Sequence, residues 1–323
     1  MLITIGAFDG FHKGHSKLLQ TCRDNSKNWS VISFYPHPSE FMHKLDAPLF
    51  TLREREFIRR ALKIPAVHFI EFNKNLMNLS PSEFWNALKN KFNITGLVVG
   101  SDFHFGRNRT GNADYLKKLA VSDGMPENNI FIIPLLLEKN HVKYSSSDAR
   151  KKIISGNVKS AYEILGYTWF LFANVIHGNA RGRTLDFPTA NLNLDGLTTL
   201  PAQGVYCAAL VINKKIYCGA VSIGNNPTFG DVQENRIEIF ILDFQGNVYD
   251  LEIPVFFLDR LRDIKTFDKP ESLKNQIALD VAKCKDIFNE MLSNSATKNF
   301  IECAFSQENI PDKNFKPEII KLC

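Results

Sequence analysis

The first fifteen residues constrain the fold of this chain more than any other stretch. An apolar run, Leu2–Ile5, is followed at once by Gly-Ala-Phe-Asp-Gly-Phe-His-Lys-Gly-His at residues 6–15. This pattern predicts a strand, a glycine-rich turn and the start of a helix. Free backbone N–H groups and the dipole at a helix start attract anions, and glycine allows a close backbone approach to phosphate. His12 and His15 would project from one side of the first helical turn, so the segment predicts a site for nucleotide phosphates.

The first half of the chain alternates short apolar runs with helical patterns. Strands are predicted at residues 31–34, 67–70, 96–100 and 130–133. Between them, Ser80 with Glu83 forms a capping-box pattern that predicts a helix start. Such alternation favours a parallel, Rossmann-like sheet. Ligands of these sheets bind beyond the carboxyl ends of the strands, where residues 6–15 and the segment after Gly100 both fall.

The pattern changes after about residue 155. Short β-rich runs with turn signals, including Asn213-Lys214, predict an antiparallel barrel or sandwich. A helix is predicted at about residues 270–292. The domain boundary is therefore expected near residues 150–165. The remaining tail, residues 293–323, contains two prolines that break any long helix, and no role is assigned to it.

Composition narrows the class of protein. With 323 residues, 44% apolar and 23% charged, the chain fits a soluble protein of two domains. A net charge of +5 suits phosphorylated small molecules and is too weak to indicate nucleic acid. Six cysteines without CxxC or zinc spacing predict free thiols in a reducing cytosol. Because no secretory signal or 18-residue apolar run appears, a cytoplasmic protein without a nucleic-acid or membrane partner is expected.

Two more segments of the first half carry binding patterns. In residues 99–111, aromatic and polar residues alternate between glycines, so the loop could stack on a planar ring and hydrogen-bond its edge. In residues 144–150, three serines open a helix and offer hydroxyls and N–H groups to phosphate. A surface loop and an ordinary helix cap are the alternatives.

The second half carries two further patterns. Residues 177–191 join a Gly/Arg loop, suited to a phosphate cradle, to Phe-Pro-Thr-Ala-Asn. Thr189 and Asn191 there offer neutral oxygen ligands to Mg²⁺. In residues 236–240, strand alternation places Glu238 on the face opposite Ile237 and Ile239. A solvated strand residue is the alternative at that position.

These motifs resemble a known enzyme family. Residues 12–15 match the His-x-Gly-His signature of nucleotidyltransferases. Residues 100–106 resemble the flavin loop of FAD synthetases, and residues 177–191 resemble the riboflavin kinase motif. The chain resembles the prokaryotic bifunctional riboflavin kinase/FMN adenylyltransferases, also called FAD synthetases, from Ile3 to about Asp286. Its motifs occur in the order found in that family. The resemblance implies a Rossmann-like domain at residues 1–155, then a six-stranded antiparallel β-barrel with a C-terminal helix at residues 156–292, and a C-terminal extension at 293–323.

The resemblance also implies two reactions and their residues. ATP and riboflavin would give FMN and ADP in the second domain, with Glu238 as general base. ATP and FMN would then give FAD and diphosphate in the first, with His12 and His15 stabilising the α-phosphate. The implied ATP-binding residues are Gly6, Phe8, Asp9, Gly10, Gly14, Ser146, Ser147, Arg150, Gly178, Arg181, Gly182 and Arg183. The implied flavin-binding residues are Asp102, Phe103, Phe105, Gly106, Asn226 and Arg262. Both reactions imply Mg²⁺, with Thr189 and Asn191 as its ligands.

Three segments depart from the family pattern. Ala7 replaces the usual Asn, Asp148 precedes Ala149 where relatives often have Arg-Ile, and Asp186 replaces Gly. The first two keep open a riboflavin kinase with an impaired adenylyltransferase. A non-catalytic flavin-binding or RNA-binding regulator is a third interpretation. A weak homo-oligomer also stays open, beside riboflavin, FMN, FAD and ATP as binding partners.

Overall fold

The computed structural model describes residues 1–44, 47–134, 136, 144–177, 188–194, 198–225, 235–306 and 308–323. The chain forms two compact units. The first comprises Met1–Ser146 with Asp312–Cys323, and the second is Ser147–Pro311.

The elements follow one another along the chain as the alternation predicts. The strands are β1 (Leu2–Ile5), β2 (Trp29–Tyr35), β3 (Val67–Glu71), β4 (Gly96–Gly100), β5 (His104–Phe105), β6 (Gly111–Asn112), β7 (Ile130–Ile133), β8 (Phe170–Ile176), β9 (Thr189–Asn193), β10 (Gly204–Ile212), β11 (Lys215–Asn225), β12 (Asn235–Ile241), β13 (Glu252–Arg262) and β14 (Ile319–Ile320). The α-helices are α1 (Lys13–Asn25), α2 (Pro38–Phe41), α3 (Leu52–Ala61), α4 (Lys74–Asn78), α5 (Pro81–Lys91), α6 (Ala113–Ser122), α7 (Ser146–Ile154), α8 (Val158–Leu165), α9 (Pro270–Ser293) and α10 (Ser295–Glu302).

A parallel six-stranded sheet forms the centre of the first unit. Its strand order is β14-β3-β2-β1-β4-β7, and each neighbouring pair is parallel. The central strand β1 is buried along its whole length, as strands covered on both faces must be. The predicted Rossmann-like sheet is confirmed. The edge strand β14 comes from the tail, whose sequence predicts no such element.

Local signals explain where the helices of this unit begin. Ser80 accepts a hydrogen bond from the backbone of Glu83, whose carboxylate accepts one in return from the Ser80 N–H at 2.7 Å. Pro81 occupies the first helical turn, where its missing N–H costs nothing. The predicted capping box is therefore confirmed, and α5 buries Trp85 in the core beside the sheet.

The second unit contains a closed antiparallel barrel. Its strand order is β10-β11-β12-β9-β8-β13, and β13 pairs with β10 to close it. The predicted Asn213-Lys214 turn joins β10 to β11, and both residues have positive φ, at 50° and 60°, as a tight hairpin turn requires. The long helix α9 packs on β10, β11 and β13. The predicted six-stranded barrel with its C-terminal helix is confirmed.

None of the helices in the described part of the chain is both long and apolar enough to cross a membrane.

Candidate functional site

A pair of histidine rings lies where β1 leads into α1. His12 is the N-cap residue of α1, and His15 is its third residue. The two rings stack with centroids 3.8 Å apart and an interplanar angle of 25°. Phe8 packs against His15 at 4.6 Å. The spacing prediction that both rings lie on one side of the helix start is confirmed, while their catalytic roles stay predictions.

The turn before the histidines has an unusual backbone. Phe8 and Phe11 have φ of 44° and 45°, a region that bulky residues rarely adopt. Burial of both rings, stacked 5.6 Å apart, holds this conformation. Gly10 has φ of +92°, and a Cβ there would lie 3.1 Å from Leu49 and Phe50. Packing of the two phenylalanine rings and the positive φ of Gly10 together fix the conformation of the turn.

A cavity of about 180 Å³ opens beyond the carboxyl ends of β1 and β4. Six of the predicted residues line it: Phe8, His12, Gly14, His15, Asp102 and Ser146. Residues that the sequence reasoning did not place in the site also line it: Ala7, Leu18, Gly100, Ile133, Pro134, Leu136, Tyr144 and Ser145. Its position beyond the strand ends is the one that parallel sheets use for ligands.

The other predicted residues of the turn lie behind the cavity wall. The Gly6 N–H donates to the Ile32 carbonyl at 3.1 Å. Asp9 is buried, and its carbonyl accepts a hydrogen bond from the Ser146 hydroxyl. This bond ties Ser146, within the first unit, to the turn. Gly6, Asp9 and Gly10 thus shape the turn rather than line the cavity.

A buried arginine supports the cavity wall at Ala7. Arg55 donates to the Ala7 carbonyl at 3.1 Å and to the Ser33 hydroxyl at 2.6 Å. Ser33 donates to the same carbonyl at 2.7 Å. The Arg55 guanidinium also lies 4.7 Å from the centre of the Phe69 ring. Sequence reasoning missed Arg55 because it is 48 residues from Ala7 and belongs to no local motif.

The predicted flavin loop is partly built into the core. Phe105 is buried against Phe84, with ring centroids 5.5 Å apart, and stacks on Phe103 at the same distance. Gly106 has φ of +71°, and a Cβ there would lie within 3.0 Å of Pro81. Asp102 lines the cavity, so of the four predicted flavin residues in this loop it is the one placed there.

Helix α7 carries the remaining predicted phosphate ligands of the first half. Ser146 ends the first unit, whereas Ser147 and Arg150 belong to the second. Ser147 is exposed and Arg150 is buried. Asp148 lies 3.7 Å from the ammonium of Lys151, an exposed i,i+3 pair of small energetic value.

A second group of polar side chains lies on the barrel. Glu238 of β12 pairs in register with Asn191 of β9. Arg236 bridges them, because its Nε donates to Asn191 Oδ1 at 3.1 Å and its guanidinium lies 2.6 Å from Glu238 Oε1. Ile237 and Ile239 are buried on the other face, so the predicted alternation is confirmed.

This group fits a hard cation. Thr189 lies two residues before Asn191 on the same face of β9, so a hydroxyl, an amide and a carboxylate oxygen are neighbours there. These are the donor types that Mg²⁺ prefers. The guanidinium of Arg236 supplies positive charge between Asn191 and Glu238.

Among the remaining predicted residues, the structure describes Arg262. Arg262 forms a bidentate pair with buried Asp280 of α9, with nitrogen–oxygen distances of 2.8–3.0 Å, and lies over Phe267. Six residues lie outside the described residues: Gly178, Arg181, Gly182, Arg183, Asp186 and Asn226.

Comparison with known proteins agrees with both halves of this description. The family model described as FAD synthetase matches residues 1–147, and the family model described as riboflavin kinase matches residues 165–288. A bifunctional riboflavin kinase/FMN adenylyltransferase of Buchnera aphidicola from Acyrthosiphon pisum is 36% identical, over 89% of this chain and 93% of its own. One from Bacillus subtilis is 30% identical, over 90% and 93%.

A solved structure is also similar over most of the chain. It is described as a macrolide-efflux protein from Streptococcus pneumoniae, with a TM-score of 0.80 and 30% identity over 88% of this chain and 93% of that one. The likeness to the curated enzymes covers both units, and both family matches fall in the order that the motifs predict. The chain therefore belongs to the family of bifunctional riboflavin kinase/FMN adenylyltransferases.

Proposed function

We propose that this enzyme makes FAD from riboflavin in two steps at two separate sites. In the kinase region, residues 156–292, ATP and riboflavin give FMN and ADP. In the adenylyltransferase region, residues 1–155, a second ATP and FMN give FAD and diphosphate. Residues 293–323 follow the kinase region as a C-terminal extension, and its strand β14 belongs to the sheet of the first unit.

The adenylyltransferase step is assigned to the cavity beside the two histidines. An FMN phosphate oxygen attacks the α-phosphorus of ATP, and diphosphate leaves without a covalent enzyme intermediate. Negative charge grows on the α-phosphate during the attack. The paired rings of His12 and His15 are held by stacking before substrate arrives, so they stabilise that charge without reorganising. The start of α1 adds its own positive end of the dipole.

The kinase step is assigned to the polar group on the barrel. Glu238 accepts the proton of the riboflavin 5′-hydroxyl as that oxygen attacks the γ-phosphate. Arg236, which also donates to Asn191, fixes the position of the Glu238 carboxylate. Thr189 and Asn191 would hold Mg²⁺, which neutralises phosphate charge when bound.

One observation is the main support for the kinase step of this proposal. The register of β12 against β9 places the proposed base, Glu238, directly beside the proposed metal ligand, Asn191. A solvated strand residue would need no such neighbour. The two residues are far apart in sequence, so the barrel itself builds the group.

Product analysis tests the proposal directly. The purified protein is incubated with riboflavin, ATP and Mg²⁺, and the flavins are separated over time. FMN that rises first and is then converted to FAD is the expected result. A reaction that stops at FMN would leave a riboflavin kinase alone. Flavin binding without any turnover would indicate a regulator and contradict the proposal.

The cellular setting is part of the same proposal. We place the enzyme in the cytoplasm, with riboflavin, FMN, FAD and ATP as its partners and with no nucleic acid or membrane. Its net charge of only +5 and its six cysteines, none of which forms a disulfide, support this setting.

A further inference from the structure

Three cysteines that are distant in sequence meet in the second unit. Cys207 lies on β10, Cys218 on β11 and Cys284 on α9. Their sulfur atoms all lie within 4.8 Å of one another. Those of Cys218 and Cys284 are 3.5 Å apart. All three residues are buried, and none belongs to the group around Glu238.

The register of β10 against β11 explains why Cys207 and Cys218 lie close together. Cys207 pairs with Ala220, and Cys218 pairs with Ala209, so the two cysteines are diagonal neighbours on one face. The small alanines let α9 approach this face. There the Cys207 thiol donates to the Cys284 carbonyl at 3.3 Å, and the Cys284 thiol donates to the Gly219 carbonyl at 3.2 Å.

The helix is fixed against the barrel close to this cluster. Asp280, one turn before Cys284, forms the bidentate pair with Arg262 at the end of β13. Lys283 donates to the Leu261 carbonyl at 3.1 Å. The three sulfurs therefore lie on two paired strands and on a helix that is anchored to the same barrel, as a preformed ligand set requires.

The three sulfurs are close enough together to bind a single soft ion, since none is more than 4.8 Å from another. Metal–thiolate bonds are about 2.3 Å long, so three sulfurs in a plane around one ion lie about 4 Å apart. Within the residues that the structure describes, this group contains no fourth sulfur, imidazole nitrogen or carboxylate oxygen. Thiolates bind both zinc and copper(I). Zinc on three protein ligands takes a water as its fourth ligand, whereas three sulfurs complete the shell of copper(I), so the burial of all three thiols favours copper(I).

The thiolate is the form of cysteine that binds metal. Binding of an ion therefore removes the proton of each thiol that coordinates it.

We propose that Cys207, Cys218 and Cys284 form a three-coordinate site for one copper(I) ion. Each sulfur that binds releases its proton to solvent, and no electron is transferred. The ion would join α9 to β10 and β11, so the site is a stabilising one that is separate from both flavin reactions.

The test uses the full chain with its other thiols removed. A background variant carries Cys22→Ala, Cys303→Ala and Cys323→Ala, which leaves the cluster as its whole thiol content. It is titrated anaerobically with copper(I) against a competing chelator, and the bound ion is studied by X-ray absorption. One ion per chain with three sulfur neighbours at about 2.3 Å is expected.

Single changes in the cluster distinguish a site from core packing. Cys207→Ala, Cys218→Ala and Cys284→Ala, each in the background variant, should bind copper(I) at least about tenfold more weakly and show two sulfur neighbours. Bound copper(I) should also raise the unfolding temperature of the background variant more than that of each single variant. Cys284 lies within α9, so Cys284→Ala can disturb the helix. If Cys284→Ala does not fold, the copper(I) affinity of Cys218→Ala decides the test.

Three results would overturn the proposal. One is copper(I) binding with the same affinity in Cys218→Ala as in the background variant. Another is a shortfall of two thiols in the purified, unfolded background variant that a reductant restores, since that indicates a Cys218–Cys284 disulfide instead. The third is zinc bound in preference to copper(I) with four ligands. Flavin turnover is not a readout here, so failure of this proposal leaves the proposed function untouched.

Discussion

At the scale of single residues, Glu238 offers the sharpest test of the kinase site. Glu238→Gln keeps the shape of the side chain and its place beside Asn191 but removes the basic carboxylate. We expect FMN formation to fall by about 10²-fold or more, because a general base contributes that much. FAD formation from supplied FMN should be unchanged. Both rates are measured by flavin separation.

A matched variant controls for loss of a carboxylate from the barrel. Glu252 is a half-buried glutamate on β13 of the same barrel. Glu252→Gln should leave both rates close to those of the unchanged enzyme. Retention of FMN formation in Glu238→Gln, with the fold intact, would remove Glu238 from its proposed role.

His15 gives the converse test in the first unit. His15→Ala removes one of the two stacked rings beside the cavity. FAD formation from supplied FMN should fall by about 10²–10³-fold, the usual effect of losing one charge-stabilising group. FMN formation from riboflavin should remain. His68→Ala, a half-buried histidine of β3 that does not line the cavity, is the control; equal losses in the two variants would contradict the assignment.

Glu56 predicts a pH dependence of stability. Burial alone would raise the pKa of Glu56, but hydrogen bonds from Arg59 and Arg60 outweigh it and lower the pKa below its ordinary 4.5. A lowered pKa stabilises the fold above the unfolded-state value, and this contribution is lost as pH falls through the folded-state value. Glu56→Gln should therefore cost about 1–3 kcal/mol near pH 7. In urea unfolding the difference should shrink below about pH 4; a difference that is constant with pH would contradict this.

At the scale of elements, the terminal strand β14 carries a prediction of its own. Ile320 is buried in the core of the first unit and pairs with Ile70 of β3. Ile320→Ala should destabilise this unit by about 2 kcal/mol or more. Hydrogen exchange of the β3 amides should speed up accordingly. Ile319→Ala, the same change at a less buried neighbour, should have a clearly smaller effect; equal effects would mean that β14 does not act through the core.

The elements also show how far sequence reasoning reaches. The Ser80 capping box, the Asn213-Lys214 turn and the alternation around Glu238 are local patterns, and each was predicted correctly. The two-residue strand β14 was missed because its stability comes from pairing with β3, more than 240 residues away. The Arg55–Ala7 contact and the cysteine cluster were missed for the same reason. Features that depend on contacts between residues distant in sequence leave no local pattern from which they could be predicted.

At the scale of the whole molecule, two separate sites imply that FMN passes between them as a free compound. Glu238→Gln protein retains the adenylyltransferase site, and His15→Ala protein retains the kinase site. Neither variant alone should convert riboflavin to FAD at an appreciable rate. An equimolar mixture of the two should restore this conversion, because FMN released by one variant is substrate for the other.

The time course of that mixture distinguishes free passage from direct transfer. Free FMN should accumulate first in the mixture, and FAD should follow after a lag that shortens as the protein concentration rises. Added FMN should remove the lag, because the intact adenylyltransferase site then starts with substrate. A mixture that makes FMN but no FAD, although supplied FMN is converted, would show that FMN must stay on one chain. That result would contradict independent sites and would require direct transfer within each molecule.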